Sequence, residues 1–184
     1  MTKLLAAFGL AFALLAPAGA ARAAEIDCGV EQITPAQRPQ IDAMVGRVLH
    51  DESGNYQPNA DDMAASETLY GAVTTCAGRL HWNDAKQDAA MRYMLLRMTA
   101  ERAASELRTL GVPTATLEKI VAANPGIFVP GASEPDRSAS HDKLVADAKA
   151  AGIPLTKDGV EMLVLAYFGA TTLANIAVAD FAKA

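Results

Sequence analysis

Cys28 and Cys76 are the only cysteines in a chain of 184 residues. A thiol can be a nucleophile, a soft-metal ligand or half of a disulfide, and its neighbours select among these roles. Neither cysteine lies in a C-x-x-C, and no histidine stands at a ligand spacing from Cys28. The expectation is a Cys28–Cys76 disulfide, given an oxidising compartment. Closing a loop of about 48 residues is worth roughly 4 kcal/mol on the chain-entropy account.

Met91, Met94 and Met98 recur at helical spacing. Thioethers on one helical face could hold Cu(I), and these three are the candidate soft-metal ligands; the commoner use of such a stripe is to fill gaps in a core. His50, His81 and His141 include no pair at i, i+3 or i, i+4, so a local helical zinc site has no support. Ser140-His141-Asp142 places the three residue types of a hydrolytic triad side by side. Consecutive helical residues point about 100° apart, so that triad cannot close on itself; the expectation is that Ser140 caps a helix. His50-Asp51 reads as a histidine at a helix C-terminus, where the dipole favours its cationic form. Neither G-x-S-x-G nor H-E-x-x-H occurs. The residues imply no cofactor and lean away from an enzyme.

Two apolar elements could contact a partner. The segment Pro125 to Pro135 carries Ile127, Phe128 and Val129 between two Pro-Gly pairs, and a loop of that length in a small domain is often functional. Trp82, the one tryptophan, sits in a short turn. Both are candidates for binding a protein or a small apolar ligand; both could instead plug the end of a helical bundle.

The elements that must position these residues begin after an expected leader. Lys3 precedes an apolar run from Leu4 to Leu15, too short to span a bilayer, and Ala21-Arg22-Ala23 supplies an A-x-A cleavage site. Residues 1–24 are therefore expected to be a signal peptide and 25–184 one domain, periplasmic or secreted. Without Lys3 and Arg22, the 16 Lys and Arg fall to 14 against 21 Asp and Glu, a net charge near −7. A surface so acidic, with its cations dispersed, argues against nucleic acid as a partner.

The rest reads as helices with clear punctuation and no β-branched alternation. Thr34-Pro35-Ala36-Gln37 is a capping box opening a helix that carries Ile41, Met44, Val45, Val48 and Leu49 and ends before Gly54. Asn59 can cap a second helix containing Met63, Leu69, Val73 and Cys76. Asp84 with Gln87 opens a long third helix to about Leu110. A fourth follows from Thr114 to Ala123, a fifth from about His141 to Ala150 after a loop over 126–140, and a last from about Lys157 to Phe181. "LGVPT" at Leu110 and "AGIPLT" at Ala151 are two joints of one design: glycine for the left-handed turn, an apolar residue folding back, then proline.

The third and last helices carry the most information. The third has the methionines on one side and Ala89, Leu96, Ala100, Ala103 and Leu107 on the other, so it belongs between neighbours. Arg102 lies beneath the methionines with Glu101 beside it. It is a buried-charge candidate that either extends its head to solvent at the bundle end or needs an acidic partner. In the last helix, Met162 to Ala179 has no formal charge, the threshold length for a membrane span. Thr171, Thr172 and Asn175 within it, and few flanking cations, favour a core helix; membrane contact through 162–179 is the alternative. The expected fold is an all-α bundle of five or six helices around this apolar C-terminal helix, with one disulfide. The expected function is binding an envelope protein or a small apolar ligand. Copper binding through the methionines and membrane attachment are the alternatives.

Overall fold

The computed structural model describes residues 25–51, 55–125 and 131–184. The expected leader, the turn at Gly54 and the Ile127–Val129 segment lie outside the described residues. Within them the fold is all-α: α1 (Cys28–Gln32), α2 (Arg38–Leu49), α3 (Ala60–Leu80), α4 (Asp84–Thr109), α5 (Thr114–Ala123), α6 (Glu134–Ala150) and α7 (Val160–Lys183).

The punctuation works largely as its chemistry dictates. Thr34 and Gln37 exchange the bonds of a capping box one turn before α2: the Thr34 N–H donates to Gln37 Oε1 at 2.9 Å, and the Gln37 N–H to Thr34 Oγ1 at 3.4 Å. Asn59 accepts from Asp62 N–H at 3.0 Å while Asp62 Oδ2 accepts from Asn59 N–H at 2.9 Å, a reciprocal box at the head of α3. Both glycine joints close in the same way. Gly111 (φ 90°) and Gly152 (φ 78°) take the left-handed turn. The Val112 N–H then donates to Leu107 O at 2.9 Å, and the Ile153 N–H to Ala148 O at 3.0 Å. These are the six-to-one bonds of a Schellman motif, with the apolar residue folded under the helix end.

Several boundaries differ from expectation, each for a local reason. The cap of α4 is Asn83, whose side chain accepts from the Lys86 N–H at 2.9 Å; Asp84 is the first helical residue. The helix expected at His141 starts seven residues earlier, at Glu134, with Ser133 capping it and Pro135 in its first turn. Ser140 therefore lies inside α6, not at its cap. The last helix starts at Val160, because Gly159 (φ 76°) makes a left-handed turn just before it. Val48 and Met63, expected to face the core, are exposed.

The two long helices α4 and α7 run antiparallel, with Asn83 bonded to Ala184 O at 3.0 Å at one end and Ala100 and Ala104 beside Tyr167 and Thr171 further along. Their interface is the most extensive in the molecule. Alanines supply much of it: Ala89, Ala103 and Ala104 on α4, and Ala170, Ala174 and Ala177 on α7, are all buried. Two apolar clusters form along this pair. The first joins α1, α2, α3, the first half of α4 and Phe181 at the end of α7. The second joins the last part of α4, α5, α6 and the start of α7. Cys28 and Cys76 form the disulfide, their Cα atoms 6.1 Å apart, tying α1 to α3 inside the first cluster.

The apolar C-terminal helix is thus the shared wall of both clusters. Ten of its residues are buried, from Val160 to Phe181. It is the one described helix long and apolar enough to cross a membrane by length and composition.

Candidate functional site

A groove of about 270 Å3 opens where the two clusters meet, between α4, α5 and α7. Its floor is made by small side chains, Ala100 and Ala104 from α4 and Ala174 from α7, with the buried ring of Tyr167 as one wall. The small residues let α4 and α7 approach closely and leave room for a hollow beside α5. Polar groups ring the opening: Arg97 and Glu101 of α4, Thr114 and Glu118 of α5, and Thr171 and Asn175 of α7.

The α4 side of the rim is held rigid. Tyr93 donates its hydroxyl to Asp27 Oδ1 at 2.6 Å, and Arg97 Nη1 reaches the same oxygen at 2.5 Å. Arg97 Nε donates to Glu101 Oε1 at 3.0 Å, and the other oxygen of Glu101 takes Arg38 from α2. Asp27, at the start of the fold, and α2 are thereby fastened to the flank of α4. Burial first, then the bond to Asp27, pushes the Tyr93 hydroxyl above the usual phenol range, so it remains a neutral donor. Burial also raises Tyr167, and the nearby Glu118 carboxylate adds to it.

The opposite rim is less committed. Glu118 is exposed on α5 and forms no ion pair among the described residues. Asn175 is exposed on α7 and likewise makes no side-chain hydrogen bond there. The groove thus offers an apolar floor, an ion-paired flank of Arg97 with Asp27 and Glu101, a free carboxylate and an amide. Such a surface can orient a molecule with an apolar body and a polar end.

Of the hollows larger than this groove, two, of about 430 and 370 Å3, lie between α5 and α6. Their polar centre is already satisfied. Asn124 donates to Ile120 O at 2.9 Å and to Asp147 Oδ2 at 2.8 Å, and Lys143 bonds both Asn124 and Asp147. Lys143 first, with Asn124, holds the Asp147 carboxyl below its usual range. This cluster ties α5 to α6.

The residues singled out in the sequence are not gathered in the groove. Ile127, Phe128 and Val129 lie outside the described residues. Trp82 is buried against Phe181, ring centroids 5.0 Å apart, and its Nε1 donates to Glu25 Oε1 at 2.9 Å. It closes the bundle end and presents no open platform. Met94 and Met98 are sealed in the first cluster, and Met91 packs half-buried against it. A Cβ on Gly29 would fall 2.4 Å from Met94 Sδ, so that sulfur is already in close contact with α1. No group of three or more His, Cys, Asp or Glu is placed to hold a metal among the described residues.

Arg102 and Glu101, considered together as a buried-charge candidate, have different partners. Arg102 is 38% exposed; its Nε meets Glu106 Oε1 at 2.5 Å, and its head lies over Gly46. Glu106 Oε2 also lies 2.9 Å from His50 Nε2, so the histidine at the end of α2 is tied to α4. The nitrogens of His141 lie 3.4 Å from Asp142 and 3.5 Å from Glu161. Both face carboxylates, and neither is left for Ser140.

Sequence reasoning missed the groove because its walls come from three helices. One signal was available: Tyr167, Thr171 and Asn175 form a polar i, i+4, i+8 row in an otherwise apolar helix. No family model matches this chain, and no curated protein or solved structure matches it either.

Proposed function

We propose that this is an exported, non-enzymatic binding protein whose groove between α4, α5 and α7 takes a small ligand with an apolar body and a polar end. The observation that carries the reading is the alanine floor at Ala100, Ala104 and Ala174 beneath a rim with unspent polar groups at Glu118 and Asn175. A hollow of about 270 Å3 approaches the lower end of the usual range for small-molecule sites. Export is supported by the leader pattern before Ala24 and by the pairing of the only two cysteines.

Native mass spectrometry of the protein isolated from its own cells tests both parts. The chain is expected to begin at Ala24 or Glu25 and to carry a small non-covalent adduct. Titration with dansylcadaverine, a dye with an apolar body and a cationic amine end that suits the Glu118 carboxylate, reports on the groove. Ala100→Phe fills the floor and is expected to weaken dye binding about tenfold, equivalent to about 1.4 kcal/mol, with the helical spectrum unchanged. Equal binding by both proteins overturns the groove; a chain that retains Met1 overturns export.

A further inference from the structure

The outward face of α7 has a composition that the fold does not explain. Met162, Leu165, Gly169, Leu173 and Ile176 fall on one side of the helix at 100° per residue, roughly opposite Tyr167, Thr171 and Ala174 of the groove. Met162 is exposed. Leu165 is half-buried and packs in part against the second cluster, whereas Leu173 and Ile176 are half-buried and belong to neither apolar cluster. Gly169 is the second observation. A Cβ built there meets nothing within 4 Å, so no contact inside the monomer requires glycine. Yet glycine is the least favoured residue for a helix interior after proline. Gly71 and Gly78 of α3 are equally open, but their neighbours along the helix are Thr68, Thr74 and Thr75. At Gly169 alone is the open glycine set among large apolar side chains. That pattern suits close approach by another helix.

We infer that this face is a self-association surface: the α7 helices of two copies of the chain pack antiparallel across a two-fold axis. The charges at the helix ends select both partner and direction. Glu161 stands at the start of α7 and Lys183 at its end; Asp180, on the same face one turn before Lys183, is already paired with Arg92 of α4 at 3.1 Å, and between Met162 and Ala179 there is no formal charge. An antiparallel pair brings each Glu161 to the other copy's Lys183; a parallel pair sets like charges together at both ends. Sizes agree in nearly the same register. When the Glu161 and Lys183 ends overlap to within a residue, Gly169 of one copy faces Ile176 of the other. A two-fold contact uses each pair twice. The grooves point away from this surface, so the dimer leaves both open.

Sedimentation equilibrium of the purified protein tests this. At about 100 μM a dimer of micromolar Kd is almost fully formed, and the protein is expected to sediment at twice the chain mass. Gly169→Leu adds a side chain that meets open space in one copy but Ile176 in the pair. It should weaken association at least about tenfold while leaving the thermal midpoint of the separated chain unchanged or raised. Glu161→Lys and Lys183→Glu should each weaken the dimer, and the double variant should restore it. A protein that stays monomeric throughout overturns the inference. So does a Gly169→Leu variant that pairs as tightly as the parent, a charge swap without recovery, or binding of this face to phospholipid vesicles in preference to a second copy.

Discussion

The two apolar clusters lie end to end on one pair of helices but are built differently. The first, around Cys28, Ile41, Leu69, Met94 and Phe181, is closed by a covalent bond between α1 and α3. Charged side chains also fasten its outside, where Asp27 holds Tyr93 and Arg97, Asp62 holds Arg47, and Glu25 holds Trp82 and Lys86. The second, around Leu107, Leu117, Leu144 and Phe168, is apolar packing held at its corners by the two glycine joints. Its polar ties are Asn124 with Lys143 and Asp147, and His141 beside Glu161. The lesson is one of division of labour. The stapled end fixes the start of the fold and one flank of the groove, whereas α5 contributes its opposite rim, Thr114 and Glu118, from the unstapled end. The groove therefore has one wall fastened by charged contacts to the stapled end, while its other wall, α5, is held by packing and by the Asn124 cluster.

Reducing the disulfide should break this contrast most severely. Freeing a loop with a sequence separation of 48 is expected to lower stability by about 4 kcal/mol. Hydrogen exchange should accelerate first in α1 and α3 while α5 and α6 stay protected. Equal acceleration in all helices would mean that the two clusters unfold as one. Leu117→Ala is the complementary cut. Leu117 is fully buried and is the main anchor of α5, so its loss should cost about 3 kcal/mol. Exchange should then rise in α5 and α6, dye binding in the groove should fall, and α3 should be left protected.

How much of this was legible in the sequence depends on how local the cause is. The glycine joints were readable because Gly111-Val112-Pro113 and Gly152-Ile153-Pro154 contain their whole mechanism in three residues. The disulfide followed from a count of two. The C-terminal helix identified itself by the absence of charge. By contrast, the head of α6 was obscured because Pro135 reads as a breaker, although proline is favoured in a first turn after a cap such as Ser133. The short helix α1 has too few residues to show periodicity. Arg97 and Asp27 are 70 residues apart, and nothing near either announces the other. Arg102 illustrates the same limit: its face was readable, but Glu106 was chosen as its partner over the adjacent Glu101 because Glu106 lies one turn on.

The finest test of the comparison concerns the head of α3 in the stapled half. Asp62 is buried, accepts from Arg47 Nε at 2.9 Å and from Asn59 N–H at 2.9 Å, and completes the capping box. Arg47 first, with the Tyr56 hydroxyl and the Asn59 N–H assisting and burial opposing, holds its carboxyl down at about 2, below the usual value of 3.8. A depressed carboxyl stabilises the fold when ionised in both states, so its contribution is complete above about pH 4 and disappears as pH falls towards 2. Acid titration followed by circular dichroism should therefore show stability declining through that window, and Asp62→Asn should be less stable at neutral pH but flatter across it. Asn59→Ala, which removes the cap while leaving Arg47 in place, should cost about 1 kcal/mol and keep most of the acid limb. If the two variants instead show the same pH profile, the box and the ion pair act as a single unit, and the outer fastening of the stapled end is as cooperative as the cluster beneath it.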